Sequence, residues 1–489
     1  MRENVASADC FTLSLTSLFH SHMIAQIIFI ILLTIAGFIA YKRFAFVRRN
    51  VLLGHDVKPE GTIAERATVM IRVALGQGKM FKRPGVAILH FFIYAGFIII
   101  NLEVLEIMID GIFGTHRIFS PVGSLYNFLI GSFEILAFLV LVSCLIFLAR
   151  RNVVRVKRFW QREMTKWPRT DANLILITEV LLMTAFLTMN ACDYALQHRE
   201  VDHYFHGNKI QEGISKTFEE TGYNPDVALI GGFPLSSHIA HRLSHISTPT
   251  LIAIERSCWW FHIIGILAFI VYLTYSKHLH IILAFPNTYF SKLDPPGEFN
   301  NLQSVTNEVK LMLDPSAVPP PSDGTPTRFG AKDVFDLSWV NLMNAYSCTE
   351  CGRCTAECPA NQTGKLLSPR KIMMDTRDRL EEVGKKIDAG RSAMQMPLKK
   401  QDQPFDDGRA LLHDYITSEE LWACTTCNAC TNACPVNIDP LAIIIDLRRY
   451  LIMEESKSPE SITAMFNNIE NNGAPWAMSA ADRAAWAES

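Results

Sequence analysis

Cys348-Thr-Glu-Cys351-Gly-Arg-Cys354-Thr-Ala-Glu-Cys358-Pro359 returns later in the chain as Cys424-Thr-Thr-Cys427-Asn-Ala-Cys430-Thr-Asn-Ala-Cys434-Pro435. Each run has the spacing Cys-x2-Cys-x2-Cys-x3-Cys-Pro. Three closely spaced thiolates can wrap three corners of an iron–sulfur cubane, and the turn then carries the fourth cysteine to a second cubane. The spacing therefore predicts two [4Fe–4S] clusters with crossed ligands. One takes Cys348, Cys351, Cys354 and Cys434; the other takes Cys424, Cys427, Cys430 and Cys358. Zinc, the rival reading, prefers two separated cysteine pairs. The remaining cysteines, Cys10, Cys144, Cys192 and Cys258, stand alone. Cys192 and Cys258 both fall at helix ends and could pair, and Cys144 reads as packing.

The repeat extends beyond the ligands. Pro369-x2-Ile372-Met-Met-Asp375-x-Arg377 follows the first run and Pro440-x2-Ile443-Ile-Ile-Asp446-x-Arg448 follows the second, in identical spacing. Each reads as a helix opened by proline with an apolar stripe. Residues 336–455 are thus expected to form a mainly α-helical, pseudo-two-fold, bacterial-type ferredoxin domain. Residues 380–420 are inserted between its halves, Lys399–Pro404 forming an exposed loop, and a tail covers 456–489. Upstream, Asp294-Pro295-Pro296-Gly297 and the proline run from Pro315 to Pro321 mark residues 291–335 as a semi-rigid linker.

Residues 1–290 are of another kind. Of the 489 residues 49% are hydrophobic, and the long apolar runs gather here. Five stretches can cross a bilayer as helices: Met23–Tyr41, Gly85–Ile109, Tyr126–Ala149, Asn173–Ala191 and Ser257–Ala284. The fold class is an all-α membrane domain of five transmembrane helices plus the ferredoxin domain. No basic n-region precedes the first stretch, so no removable signal peptide is expected. The net charge of −2 argues against nucleic-acid binding, which needs a basic patch.

Lys42, Arg43, Arg48 and Arg49 follow the first stretch, Lys79, Lys82 and Arg83 precede the second, and Arg150, Arg151, Arg155, Lys157, Arg158 and Arg162 follow the third. By the positive-inside rule the N-terminus lies outside the inner (cytoplasmic) membrane and the ferredoxin domain in the cytoplasm.

Histidine inside a spanning helix is costly and tends to be functional. His90 and His262 sit deep in spans, and His280 lies near the inner end of the fifth. On one continuous helix His262 and His280 would be five whole turns apart, on the same face and about 27 Å from each other; His278 would face away. His90 and His280 share a depth, which predicts a bis-histidine haem b. Gly96 and Gly265 could admit the porphyrin. His262 could bind a second haem with His20 or His22, or line a quinone pocket. Glu134, with Glu103 and Glu106, is either a proton route for a quinone site or an interior hydrogen bonder. His238, His241 and His245, with Leu235, Ile239 and Leu243, suggest an amphipathic helix on the outer surface; His198, His203 and His206 precede it.

His90, Trp259-Trp260-Phe261-His262 and Ser276-Lys277-His278-Leu279-His280 resemble the five-helix cytochrome b subunit of respiratory nitrate reductase and its relatives in heterodisulfide-reductase-like membrane complexes, over residues 20–290. That family often has a further ligand ten residues after the first; here the position is Ile100. The cysteine half resembles the ferredoxin portion of heterodisulfide reductases, the anaerobic glycerol-3-phosphate dehydrogenase small subunit and glycolate oxidase iron–sulfur subunits. The resemblance implies a hetero-oligomeric complex with a cytoplasmic flavoprotein or CCG-module subunit, and menaquinone or another quinone in the membrane lipid. No flavin, nicotinamide or phosphate-binding fingerprint occurs, so an organic substrate site is expected on a partner chain. The expected function is that of an electron-transfer subunit of a quinone oxidoreductase. The alternatives are a membrane anchor with a structural haem and a quinol-driven disulfide reductase subunit.

Overall fold

The computed structural model describes residues 3–488 except 116, 198–230, 244, 296, 320–327, 391, 393–394 and 398–405, and omits the side chains of 3–22 and 480. His20, His22, His198, His203, His206, Cys10 and the Lys399–Pro404 loop therefore lie outside the described residues. Among the described residues the chain is helical, with only isolated bridges between His55 and Ser338 and between Leu412 and Ile416. It divides into two compact units, Met1–Phe44 with Met80–His278, and Ala45–Lys79 with Leu279–Ser489.

The first unit holds the membrane helices. Among the described residues five helices are long and apolar enough to cross a bilayer: Met23–Val51, Pro84–Phe113, Ser124–Asn152, Trp167–Gln197 and Thr248–Leu273. Residues 45–51 of the first of these belong to the second unit. Pro84 opens the second helix, where a missing N–H costs nothing. Gly114 closes it in the left-handed region (φ +71), donating its N–H to the Asp110 carbonyl at 2.8 Å. Glycines let the helices approach. A Cβ on Gly96 would stand 2.5 Å from Val140 Cγ2, one on Gly265 2.6 Å from Leu182 Cδ2, and one on Gly111 2.6 Å from the Phe29 ring. The space beside Gly96 and Gly265 is therefore filled by neighbouring side chains. Ile100 is buried in the core with Tyr126, Phe133, Val140 and Phe186.

The fifth span differs from expectation. It runs over Thr248–Leu273, not Ser257–Ala284, and His280 begins a separate helix, His280–Tyr289. Polar groups cause the break. Asp171 accepts the backbone N–H of Lys277 at 3.2 Å, Lys277 Nζ donates to the Pro168 carbonyl at 2.6 Å, and Ser276 Oγ accepts the N–H of His278 at 2.9 Å. These bonds replace the helical ladder, so the five-turn phase relation between His262 and His280 does not hold. His278 instead packs edge-on against Phe269 at 5.3 Å.

The second unit is the ferredoxin domain with an addition. Residues 45–79 fold with it, whereas the sequence reading placed them with the membrane domain. Asn50 is fully buried and donates to Tyr346 Oη at 2.9 Å and to the Leu380 carbonyl at 3.3 Å. Arg49 donates to Asp388 Oδ2 at 2.9 Å and to the Gly384 carbonyl at 3.1 Å. The two repeat helices form as expected, Pro369–Ile387 capped by Ser368 and Pro440–Met453 capped by Asp439. The first continues well into the stretch read as an insert. Later in that stretch Leu411, Leu412 and Ile416 are buried. Arg379, fully buried, ties the region together: its Nη2 meets Asp333 Oδ2 at 2.6 Å and its Nη1 meets Asp407 Oδ2 at 2.8 Å.

Candidate metal centre

The two cysteine loops follow one backbone path. Glu350 and Thr426, each two residues after the first cysteine, are left-handed (φ +53 and +54), and so are Gly352 and Asn428 (φ +68 and +58). Left-handed backbone at a non-glycine residue is strained; three of these four positions bear that strain. The turn aims successive thiols inward. The helix after each run anchors its loop. Arg377 Nη1 donates to Glu350 Oε1 at 2.7 Å, and Arg448 donates to the carbonyls of Leu421 at 2.6 Å and Cys424 at 2.5 Å.

Electrostatic neighbours among the thiols reach across the two loops. Cys434 lies in the electrostatic field of Cys351 and Cys348, and Cys354 in that of Cys348, Cys351 and Cys434, with Cys430 beyond them. Cys358 is coupled to Cys427, and Cys424 to both. One small cavity is lined by Cys358, Cys424, Cys427 and Cys430 together. Among the described residues no three His, Cys, Asp or Glu side chains converge on a point that could hold a single metal ion. In a cubane four thiolates cap four different irons. Backbone N–H groups point at the sulfurs: Thr426 to Cys424 Sγ at 3.4 Å and Ile438 to Cys434 Sγ at 3.3 Å. Burial pushes the Cys348 thiol up to about 11 and those of Cys430 and Cys434 up to about 12. Iron bound here would hold these positions as thiolates. The residues fit two [4Fe–4S] clusters.

The helix bearing His280 touches this site. Asn287, fully buried on that helix, donates from Nδ2 to the Val436 carbonyl at 2.7 Å, two residues past Cys434. Asn437 Nδ2 adds a bond to Ser291 Oγ at 3.2 Å. His280 precedes Asn287 by seven residues, about 10 Å along the axis and within about 20° of the same face. Sequence reasoning missed Asn287, since a polar residue in an apolar run carries no periodic signal. Arg448 was marked by the repeat.

In the membrane unit His90 and, in the other unit, His280 are half-buried. His262 is 2% exposed, and its Nδ1 lies 3.1 Å from the Leu182 carbonyl, an acceptor only, so Nδ1 carries the proton and Nε2 keeps a lone pair. Glu134 is fully buried with both oxygens engaged. Oε1 accepts from Asn190 Nδ2, and Oε2 from the backbone N–H groups of Leu235 and Ser236, each at 3.1 Å. It caps the short helix Ser236–Arg242. That helix turns Ser236 and Ala240 inward and leaves His238, His241 and Ile239 exposed, so its apolar stripe is not the one the histidine spacing suggested. Glu106 accepts from the Phe119 N–H at 2.9 Å and Tyr126 Oη at 3.0 Å. Glu103, 5% exposed, has no partner for Oε2 among the described residues. Cys144, Cys192 and Cys258 are free thiols.

The architecture and the thiolate nests define an all-α membrane protein with a two-cluster iron–sulfur domain; residues 347–438 match the 4Fe-4S dicluster domain family. Among curated proteins the chain is 27% identical over 471 residues to "Probable iron-sulfur-binding oxidoreductase FadF" of Bacillus subtilis (strain 168), covering 92% of this chain and 58% of the relative. It is 25% identical to the "EtfAB:quinone oxidoreductase" of Syntrophomonas wolfei, over 88% of this chain and 55% of the relative. Over 174 residues, 34% of this chain and 25% of the other, it is 31% identical to a "Probable membrane-anchored ferredoxin" of Chromohalobacter salexigens. The chain spans a little over half the length of the first two. No solved structure matches. The chain carries a 4Fe-4S dicluster domain and is similar to proteins named as iron–sulfur-binding and quinone oxidoreductases.

Proposed function

We propose that this chain connects a cytoplasmic redox partner to the membrane quinone pool, with the crossed ligand sets above holding two [4Fe–4S] clusters and His90 and His280 holding a haem b. Clusters and haem exchange single electrons. The residues fix where those electrons stand and what surrounds them. The observation that carries the reading is the bond from Asn287 to Val436. It seats the helix of His280 on the loop of Cys434, so an imidazole-bound iron would follow the Cys348-side cluster along one rigid element.

The relative named for EtfAB and quinone supports a flavoprotein as the soluble partner and a quinone, menaquinone by the family resemblance, as the membrane partner. The cluster of lysines and arginines at alternate helix ends supports a cytoplasmic ferredoxin domain and an external N-terminus. His262, with its free Nε2, is a hydrogen-bonding candidate for the quinone or for a second haem with His20 or His22. Glu134 is occupied as a helix cap, so among the membrane carboxyls Glu103 is the better proton carrier.

The test is anaerobic addition of a menaquinol analogue to the purified holoprotein. Reduction of the haem band followed by the cluster signals supports the reading. A haem that stays oxidised while dithionite reduces it rules out quinone as its partner.

A further inference from the structure

The helix Trp167–Gln197 turns one side outward, where Leu174, Ile177 and Leu181 are exposed. At 100° per residue Glu179 stands about 140–160° from each of them, on the side that faces the bundle. Ala172, Met183, Phe186 and Asn190 lie within about 40° of Glu179 on that side, and all four are buried. Glu179 itself is only half-buried. Surface left open on the inward side of a packed helix is a crevice between helices, and here buried neighbours close it toward both helix ends. Glu179 is about 18 Å from Trp167 along the axis, near the middle of a hydrocarbon core about 30 Å thick.

Among the described residues the Glu179 carboxyl makes no hydrogen bond or ion pair. The groups on the neighbouring helices do not satisfy it. Ser124–Asn152 presents Cys144, fully buried and within electrostatic reach of Glu179. Thr248–Leu273 offers His262, whose Nδ1 is held at the Leu182 carbonyl, and Tyr272, whose hydroxyl is taken by Asp171. Glu134 stands about 16 Å farther along, against Asn190. A carboxylate without a partner is expensive at this depth, and a neutral carboxyl there still needs an acceptor for its proton. A planar apolar ring with a carbonyl oxygen on its edge supplies that acceptor and fills the crevice.

We propose that Glu179 holds and protonates the quinone ring, in a crevice between the helices Ser124–Asn152 and Trp167–Gln197. The proposal rests on the reading that this chain exchanges electrons with quinone. When the ring is reduced, two electrons arrive one at a time from the iron centres. One proton moves from the Glu179 carboxyl to one ring oxygen, a second reaches the other oxygen from water, and water then returns a proton to Glu179. Oxidation of the quinol runs the same transfers backward. Glu103, on another helix, carries protons between such a site and the membrane surface without touching the ring.

The experiment has two arms on the purified holoprotein. In the first, wild type is treated with dicyclohexylcarbodiimide, which forms a stable acylurea with protonated carboxyls in apolar crevices, with and without excess short-chain naphthoquinone. Mass spectrometry should find Glu179 modified, and the naphthoquinone should suppress the modification. In the second arm the corresponding naphthoquinol reduces the haem. Glu179→Gln, with haem content and reduction by dithionite unchanged, should be reduced about a hundredfold more slowly, and Glu179→Asp should recover part of the rate. The first arm decides if Glu179→Gln loses its haem, because it uses wild type alone. A Glu179 that resists the carbodiimide, or that reacts equally with and without the naphthoquinone, overturns the proposal. So does a haem-loaded Glu179→Gln reduced as fast as wild type. A wild type whose haem no naphthoquinol reduces instead defeats the quinone reading on which the proposal rests.

Discussion

Asn287 Nδ2 donates at 2.7 Å to the carbonyl oxygen of Val436, and the loop so held is the one that carries Cys434. A helix that begins at His280 is thereby fixed to the loop of Cys434 by a buried bond. Asn287→Leu would leave the Val436 carbonyl without this donor and cost about 1–3 kcal/mol. Chemical denaturation followed through the cluster absorbance should show the loss. Reduction of the haem by dithionite-reduced clusters should slow in the same variant, and an unchanged rate would separate the bond from the electron route.

The crossed ligand sets predict pairs of variants with one phenotype. Cys434→Ser should alter the same paramagnetic signal as Cys348→Ser, and Cys358→Ser the same signal as Cys424→Ser. Signals pairing instead by sequence run, Cys358 with Cys348, would show that each run closes on its own cluster.

Glu134 and Glu103 should part company. Glu134→Leu removes the acceptor for Asn190, Leu235 and Ser236 and should destabilise the membrane unit by about 3 kcal/mol, seen as a lower thermal midpoint. Glu103→Gln should leave that midpoint in place and lower quinone turnover.

Asp407 gives the pH dependence. Hydrogen bonds from Arg379, then from Lys386, hold its carboxyl well below the usual aspartate range. A depressed folded value means the stabilisation is fully present above the unfolded value of about 4 and is lost as pH falls below it. Asp407→Asn should therefore cost about 3 kcal/mol uniformly between pH 5 and 8. The gap to wild type should narrow below about pH 4, as followed by hydrogen exchange of the helix Pro369–Ile387.

Much of this was legible in the sequence, for reasons that differ by element. The cysteine runs announce their chemistry because cubane geometry dictates the spacing, and the repeat helices follow because Pro369 and Pro440 open the same apolar stripe. The spanning helices follow from length and apolarity. The break after Leu273 was not legible, since it depends on Asp171, far away in sequence, taking the Lys277 N–H. Nor was the membership of residues 45–79 in the ferredoxin unit. It rests on buried polar contacts: Arg49 meets Asp388, and Asn50 packs against Gly384, where a Cβ would stand 2.4 Å from the amide. Gly384→Ala should for that reason destabilise the ferredoxin unit by about 1–3 kcal/mol, read from its urea midpoint.

The most direct measurement is iron analysis with reduced-minus-oxidised spectra on purified wild type, His90→Ala and His280→Ala. A continuous row of centres predicts about eight irons in clusters in all three proteins, with a b-type haem band in wild type that either substitution abolishes. A band that survives both substitutions, or a wild type that shows none, would contradict it.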